Sequence, residues 1–70
     1  MRFRRMTVIG VGLVGGSLAR AMKDRGLVGD VVGVGRGEAN LKRAVEMGVI
    51  DEFTHDPCEG VRGATLVVLA

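Results

Sequence analysis

Short apolar runs and amphipathic stretches follow one another along the chain, with glycines between them. Met6-Thr7-Val8-Ile9 is an apolar run closed by Gly10, the pattern of a parallel strand covered on both faces. From Leu13 to Arg25 the apolar residues Val14, Leu18, Ala21 and Met22 recur at helical spacing. Arg20, Lys23 and Asp24 fall on the other side, and Gly26 is placed to end the helix. Asp30 to Val34 predicts a second strand and Gly35-Arg36-Gly37 a turn. Glu38 to Met47 predicts a second helix with Leu41, Ala44 and Val45 inward, Lys42, Arg43 and Glu46 outward, and Gly48 as its stop. Val49-Ile50 predicts a short third strand. In Asp56-Pro57-Cys58-Glu59, Asp56 suits a helix cap, Pro57 the first helical position and Glu59 a capping box, while Gly60 and Gly63 keep that helix short. Thr65 to Ala70 is a continuous aliphatic run, as in an interior parallel strand.

Strand-helix units in succession imply parallel strands joined by right-handed crossovers. The expected fold class is α/β: the N-terminal part of a Rossmann-type parallel sheet, strand order 3-2-1-4, with helices on both faces. In that order the last strand lies on the open edge, its aliphatic side chains uncovered. Residues 1–70 are therefore expected to be the first part of a larger dinucleotide-binding domain, unstable or self-associating alone.

The chemistry concentrates in Gly10-Val11-Gly12-Leu13-Val14-Gly15-Gly16-Ser17, set between the first strand and the first helix. Gly10 lets the chain turn sharply out of the strand. Gly12 has no Cβ to keep a pyrophosphate from the backbone, and Gly15 lets the helix pack closely on the strand. The helix then begins with free N–H groups and about half a positive charge, so a dinucleotide phosphate is the natural occupant. The bland alternative is a glycine-rich turn without a ligand. In such a fold the end of the second strand meets the adenosine ribose, and an acid there favours NAD. Here Gly35 and Arg36 hold those positions, and Asp30 precedes the strand at the wrong end of the sheet. The missing acid and the neighbouring guanidinium favour NADP over NAD, unless Arg36 merely lies exposed on a loop.

Composition removes other classes of function. A net charge of +2, two Phe, no Tyr and no Trp leave no stacking platform for nucleic acid bases. The one cysteine, Cys58, excludes an internal disulfide, fits a reducing cytoplasm and reads as an inert thiol. One His and one Cys give no metal-ligand spacing, and His55 is expected on a solvated loop. Arg2, Arg4 and Arg5 read as a solvated arm. Followed by an uncharged stretch and Ala19-Arg20-Ala21, they also mimic a signal peptide, but the glycines in that stretch fall in motif spacing. No apolar run approaches the length of about 20 residues that spans a membrane.

The segment Gly10 to Ala19 resembles the start of the prephenate and arogenate dehydrogenase family, which carries G-x-G-L-I/V-G-G-S-L/I-A. The resemblance continues through Val32-Gly33-Val34-Gly35-Arg36, Ala44 to Glu52 and Gly63 to Ala70. It implies a domain that holds NAD or NADP, followed by a helical domain that completes the site for prephenate or arogenate and makes a homodimer. Hydride would pass to the nicotinamide as carbon dioxide leaves. By match to the motif, Gly10, Gly12, Gly15 and Gly16 carry over as the phosphate loop, Leu13 and Val14 supply backbone N–H groups, and Gly35 and Arg36 lie on the ribose side. The catalytic histidine and the substrate arginines match nothing within these residues, so the chain alone is expected to be inactive. Other readings are the N-terminal segment of another dehydrogenase or reductase, a free-standing nucleotide-binding module, or an exported peptide.

Overall fold

The computed structural model describes residues 2–70, and Leu13 by its backbone alone. The elements in chain order are β1 (Phe3–Ile9), α1 (Leu13–Asp24), β2 (Val28–Val34), α2 (Glu38–Glu46), β3 (Glu52–Thr54), α3 (Pro57–Gly60) and β4 (Leu66–Leu69). All pairings are parallel, and the strands lie in the order β3-β2-β1-β4. This is the α/β sheet that the alternation of strands and helices implies.

Register assigns the faces. Met6 stands beside Val31 and Leu66, and Val8 beside Gly33 and Val68, so these side chains share one face. On that face α1 contributes Ala19 and α2 contributes Leu41 and Ala44; with Val49 and Ile50 they form the core around the fully buried Met6 and Val8. A Cβ on Gly33 would come within 2.8 Å of Ile50 and Val11, so the sheet is packed tightly there. The other face carries Thr7, Val32 and Val34, and α3 lies on it. The Thr7 hydroxyl donates to the Gly60 carbonyl at 2.6 Å, and a Cβ on Gly60 would run into Val34 and Thr54. Helices thus cover both faces.

Several elements differ from the sequence pattern. The inward stripe of α1 is Gly15 and Ala19, with Met22 packed half-buried against the core as the pattern predicts, and not Val14 and Leu18, which are exposed. Close helix–strand approach selects the smallest residues, and the larger ones are left outside. β1 begins at Phe3, so Arg4 and Arg5 are strand residues and no solvated arm. Arg5 is half-buried and bridges Asp30 on β2 and Glu52 on β3. The third strand is Glu52–Thr54, not Val49-Ile50. Gly48, at φ +75, reverses the end of α2, and the N–H groups of Val49 and Ile50 donate to the Ala44 carbonyl. Those residues are consumed in ending the helix, and their side chains plug the core instead. Pairing with β2 starts at Asp51, which donates its N–H to Val31 O and accepts the Val31 N–H on its carboxylate. Asp56 does cap α3, accepting from Cys58 N, whereas the Glu59 carboxylate pairs with Arg62 and closes no capping box. The stretch that mimics a signal peptide is β1, the glycine loop and α1, and supplies Met6, Val8 and Ala19 to the core.

Candidate functional site

The strand order reverses between β1 and β4, and the glycine loop leaves β1 at that switch point, at the carboxyl ends of the strands. Gly10 adopts φ +90 and donates its N–H to Val34 O, and a Cβ there would sit 2.9 Å from the Ala70 carbonyl oxygen. Gly15 is buried against β1; a Cβ on it would meet Gly10 O at 2.8 Å and Val8 at 3.0 Å. These two glycines are demanded by the fold itself. Gly16 is not, for its Cβ would make only ordinary contact with Val49.

Gly12 stands apart. It is the N-cap of α1 in extended conformation, without a side-chain cap, and a Cβ on it would meet nothing within 4 Å. The first helical bond runs from Gly16 N–H to Gly12 O, so the N–H groups of Leu13, Val14 and Gly15 lie ahead of the ladder, with no acidic residue in the first turn to satisfy them. Donors without acceptors, beside space that a side chain would have filled, are what an anion requires. A groove of about 700 Å³ opens between α1 and α2, lined by Gly12, Gly16, Ala44 and Val49 and by the polar side chains of Arg20, Asn40 and Arg43.

The positions expected on the ribose side lie where β2 ends. Gly35 follows Val34 and donates its N–H to Thr54 O, Arg36 is exposed, and Gly37 is the N-cap of α2. The structure also brings in two residues that sequence pattern did not connect with this corner. The ring of His55, from the loop after β3, has Nδ1 2.7 Å from the Gly35 carbonyl oxygen and Nε2 3.5 Å from the Glu38 carboxylate, whose other oxygen lies 3.2 Å from Lys42 Nζ. His55 is exposed as expected, but it is anchored. The hydrogen bond from Lys42, and after it that from His55, hold the Glu38 carboxyl below its ordinary range. Only the Glu38–Lys42 spacing along the helix is legible in the sequence. Asp30 does not precede the second strand but is the third residue of β2, which begins at Val28; it is engaged by Arg5, away from this corner. Cys58 is exposed on α3, and among the described residues no cluster of His, Cys, Asp and Glu is arranged to hold a metal.

No protein-family model and no curated protein matches the chain. Solved structures do. The chain is similar to Synechocystis arogenate dehydrogenase, at 32% identity and a TM-score of 0.81 over 93% of its length, and to A. aeolicus prephenate dehydrogenase, at 27% identity and 0.88 over 99%. These likenesses support the prephenate and arogenate dehydrogenase family. The chain spans 22% of the arogenate dehydrogenase and 24% of the prephenate dehydrogenase, so the matched part is the opening of a Rossmann sheet and under a quarter of each enzyme. The prephenate dehydrogenase structure holds NAD+ and hydroxyphenyl propionate. Among the described residues, no helix is long and apolar enough to cross a membrane.

Proposed function

We propose that the chain is the N-terminal, dinucleotide-binding part of a prephenate or arogenate dehydrogenase. The observation that carries this reading is the uncapped N-terminus of α1, with Gly12 facing open space at the switch point of the sheet. In this reading the backbone N–H groups of Leu13, Val14 and Gly15 hold the pyrophosphate. Gly10 and Gly15 keep the loop folded back on β1, and Gly16 extends the cradle toward the α1–α2 groove. The bound nicotinamide supplies the hydride acceptor. The chain's own residues bind and orient it, and the substrate and its catalytic groups belong to the rest of the longer, dimeric enzyme.

At the ribose corner we favour NADP, because position 35 carries no acid and Arg36 is exposed beside it. A two-dimensional amide spectrum, recorded alone and during titration with NADP and separately NAD, tests both parts. Shifts at residues 10–16 and at Arg36, reached at lower concentration with NADP, are the expected result. A spectrum insensitive to both nucleotides removes the binding assignment. Equal loss of affinity for the two nucleotides in Arg36→Ala removes the preference.

A further inference from the structure

Both ring nitrogens of His55 face acceptors. Nδ1 lies 2.7 Å from the Gly35 carbonyl oxygen, which can only accept, so Nδ1 carries a proton in that bond. Nε2 faces the Glu38 carboxylate at 3.5 Å, and an ionised carboxylate also only accepts. A neutral imidazole therefore makes one contact and sets a lone pair against the other. Imidazolium satisfies both. The Phe53 ring stands against the imidazole at 72°, with centroids 5.8 Å apart, and limits its rotation.

We propose that His55, as imidazolium, is the positioning residue of the Gly35-Arg36-Gly37 turn and that, with Glu38, it sets the charge that a 2′-phosphate meets there. The second half rests on the cofactor reading above. The charged groups around the ring are Glu38, and behind it Lys42, on α2; Arg36 on the turn; and Asp56 on its own loop, whose carboxylate accepts the Cys58 N–H. Protonation of His55 adds one positive charge to a corner where Arg36 and Lys42 already stand with Glu38. It also adds the Nε2 contact with Glu38 at the start of α2, while Nδ1–H holds the carbonyl before Arg36 to the loop after β3. Loss of that proton removes the charge, so the preference for NADP over NAD falls as His55 deprotonates with rising pH.

The 2′-phosphate itself gains negative charge near pH 6, which works in the opposite direction. His55→Gln separates the two effects, since glutamine keeps a donor for the Gly35 carbonyl and loses the titration. Two measurements on the 70-residue chain decide the matter. Without ligand, the amides of Gly35, Arg36 and Gly37 are expected to titrate together with the His55 ring protons, with a smaller response in Glu38→Gln; turn amides indifferent to the ring overturn the positioning role. With ligand, the ratio of NAD to NADP dissociation constants is expected to fall about three- to tenfold more between about pH 5.5 and 8 in the native chain than in His55→Gln. Equal pH dependence in both overturns the specificity role. Failure to bind either nucleotide overturns the cofactor reading and the specificity role with it, while the ligand-free titration still judges the positioning role.

Discussion

Glycines of one motif do different work, and substitution separates them. Gly15→Ala places a methyl 2.8 Å from the Gly10 carbonyl oxygen and 3.0 Å from Val8, backbone and core that cannot yield cheaply. A loss of about 1–3 kcal/mol is expected in urea unfolding. Gly12→Ala meets no atom of the protein and needs only extended backbone, so it costs no more than about 1 kcal/mol as the poorer cap. Its expected effect is on nucleotide affinity, lowered about tenfold or more in the amide titration, because the methyl occupies the space offered to phosphate. At the other end of the site, Gly35 lies outside the left-handed region, and its Cβ direction meets only Leu41 carbons, the nearest at 3.7 Å. Gly35→Asp is therefore tolerated, and it adds the acid that accepts ribose hydroxyls and repels a 2′-phosphate. Competition titrations are expected to show the preference moving toward NAD by tenfold or more.

Among the elements, α2 carries the acid-sensitive contact. Lys42 and His55 hold the folded-state pKa of Glu38 below that of the unfolded chain. Such a carboxylate contributes stability above its unfolded pKa and loses the contribution as pH falls toward the folded one. Thermal melts below about pH 4.3 should thus lose stability more steeply in the native chain than in Glu38→Gln, with the two slopes converging at neutral pH. The difference is small, since the pair is exposed and screened by salt. Parallel slopes in the two chains would show that the pairing does not persist in solution. Near neutral pH the N-terminus of α2 keeps its acid, while that of α1 has none, so the two helix starts in this sheet differ in the charge they accept.

For the whole molecule the open side of the sheet dominates. Among the described residues β4 pairs with β1 alone, and on the face of the sheet that carries Thr7, Leu69 is 79% and Val67 45% exposed, uncovered by the short α3. Val14 on α1 is 73% exposed. An unpaired strand edge flanked by aliphatic side chains is a template for further pairing. Size-exclusion chromatography of the 70-residue chain is expected to show association that grows with concentration, and Leu69→Lys to shift it toward monomer. A monomer at every concentration would mean that the edge is adequately hydrated. Because the chain covers under a quarter of the dehydrogenases it resembles, we infer that in the longer enzyme this edge takes the next strand of the sheet.

Strand and helix alternation, the 3-2-1-4 order and the glycine loop were legible in the chain, because they arise from local causes. A β-branched run, a helical period and a glycine at each helix end act over a few residues, and the handedness of crossovers then orders the strands. What required tertiary structure depends on segments far apart in sequence. The inner face of α1 was decided by how closely a helix approaches a strand, which favours Gly15 and Ala19 over the larger Val14 and Leu18. The third strand moved because Val49 and Ile50 spend their N–H groups on ending α2. Arg5 found Asp30 and Glu52 only across three strands, and His55 reached Gly35 only because β3 lies beside β2. Sequence by itself determined the alternation of strands and helices and the place of the glycine loop; packing alone decided which side chains meet where β2 ends, since hydrogen bonds between distant segments leave no period in the chain.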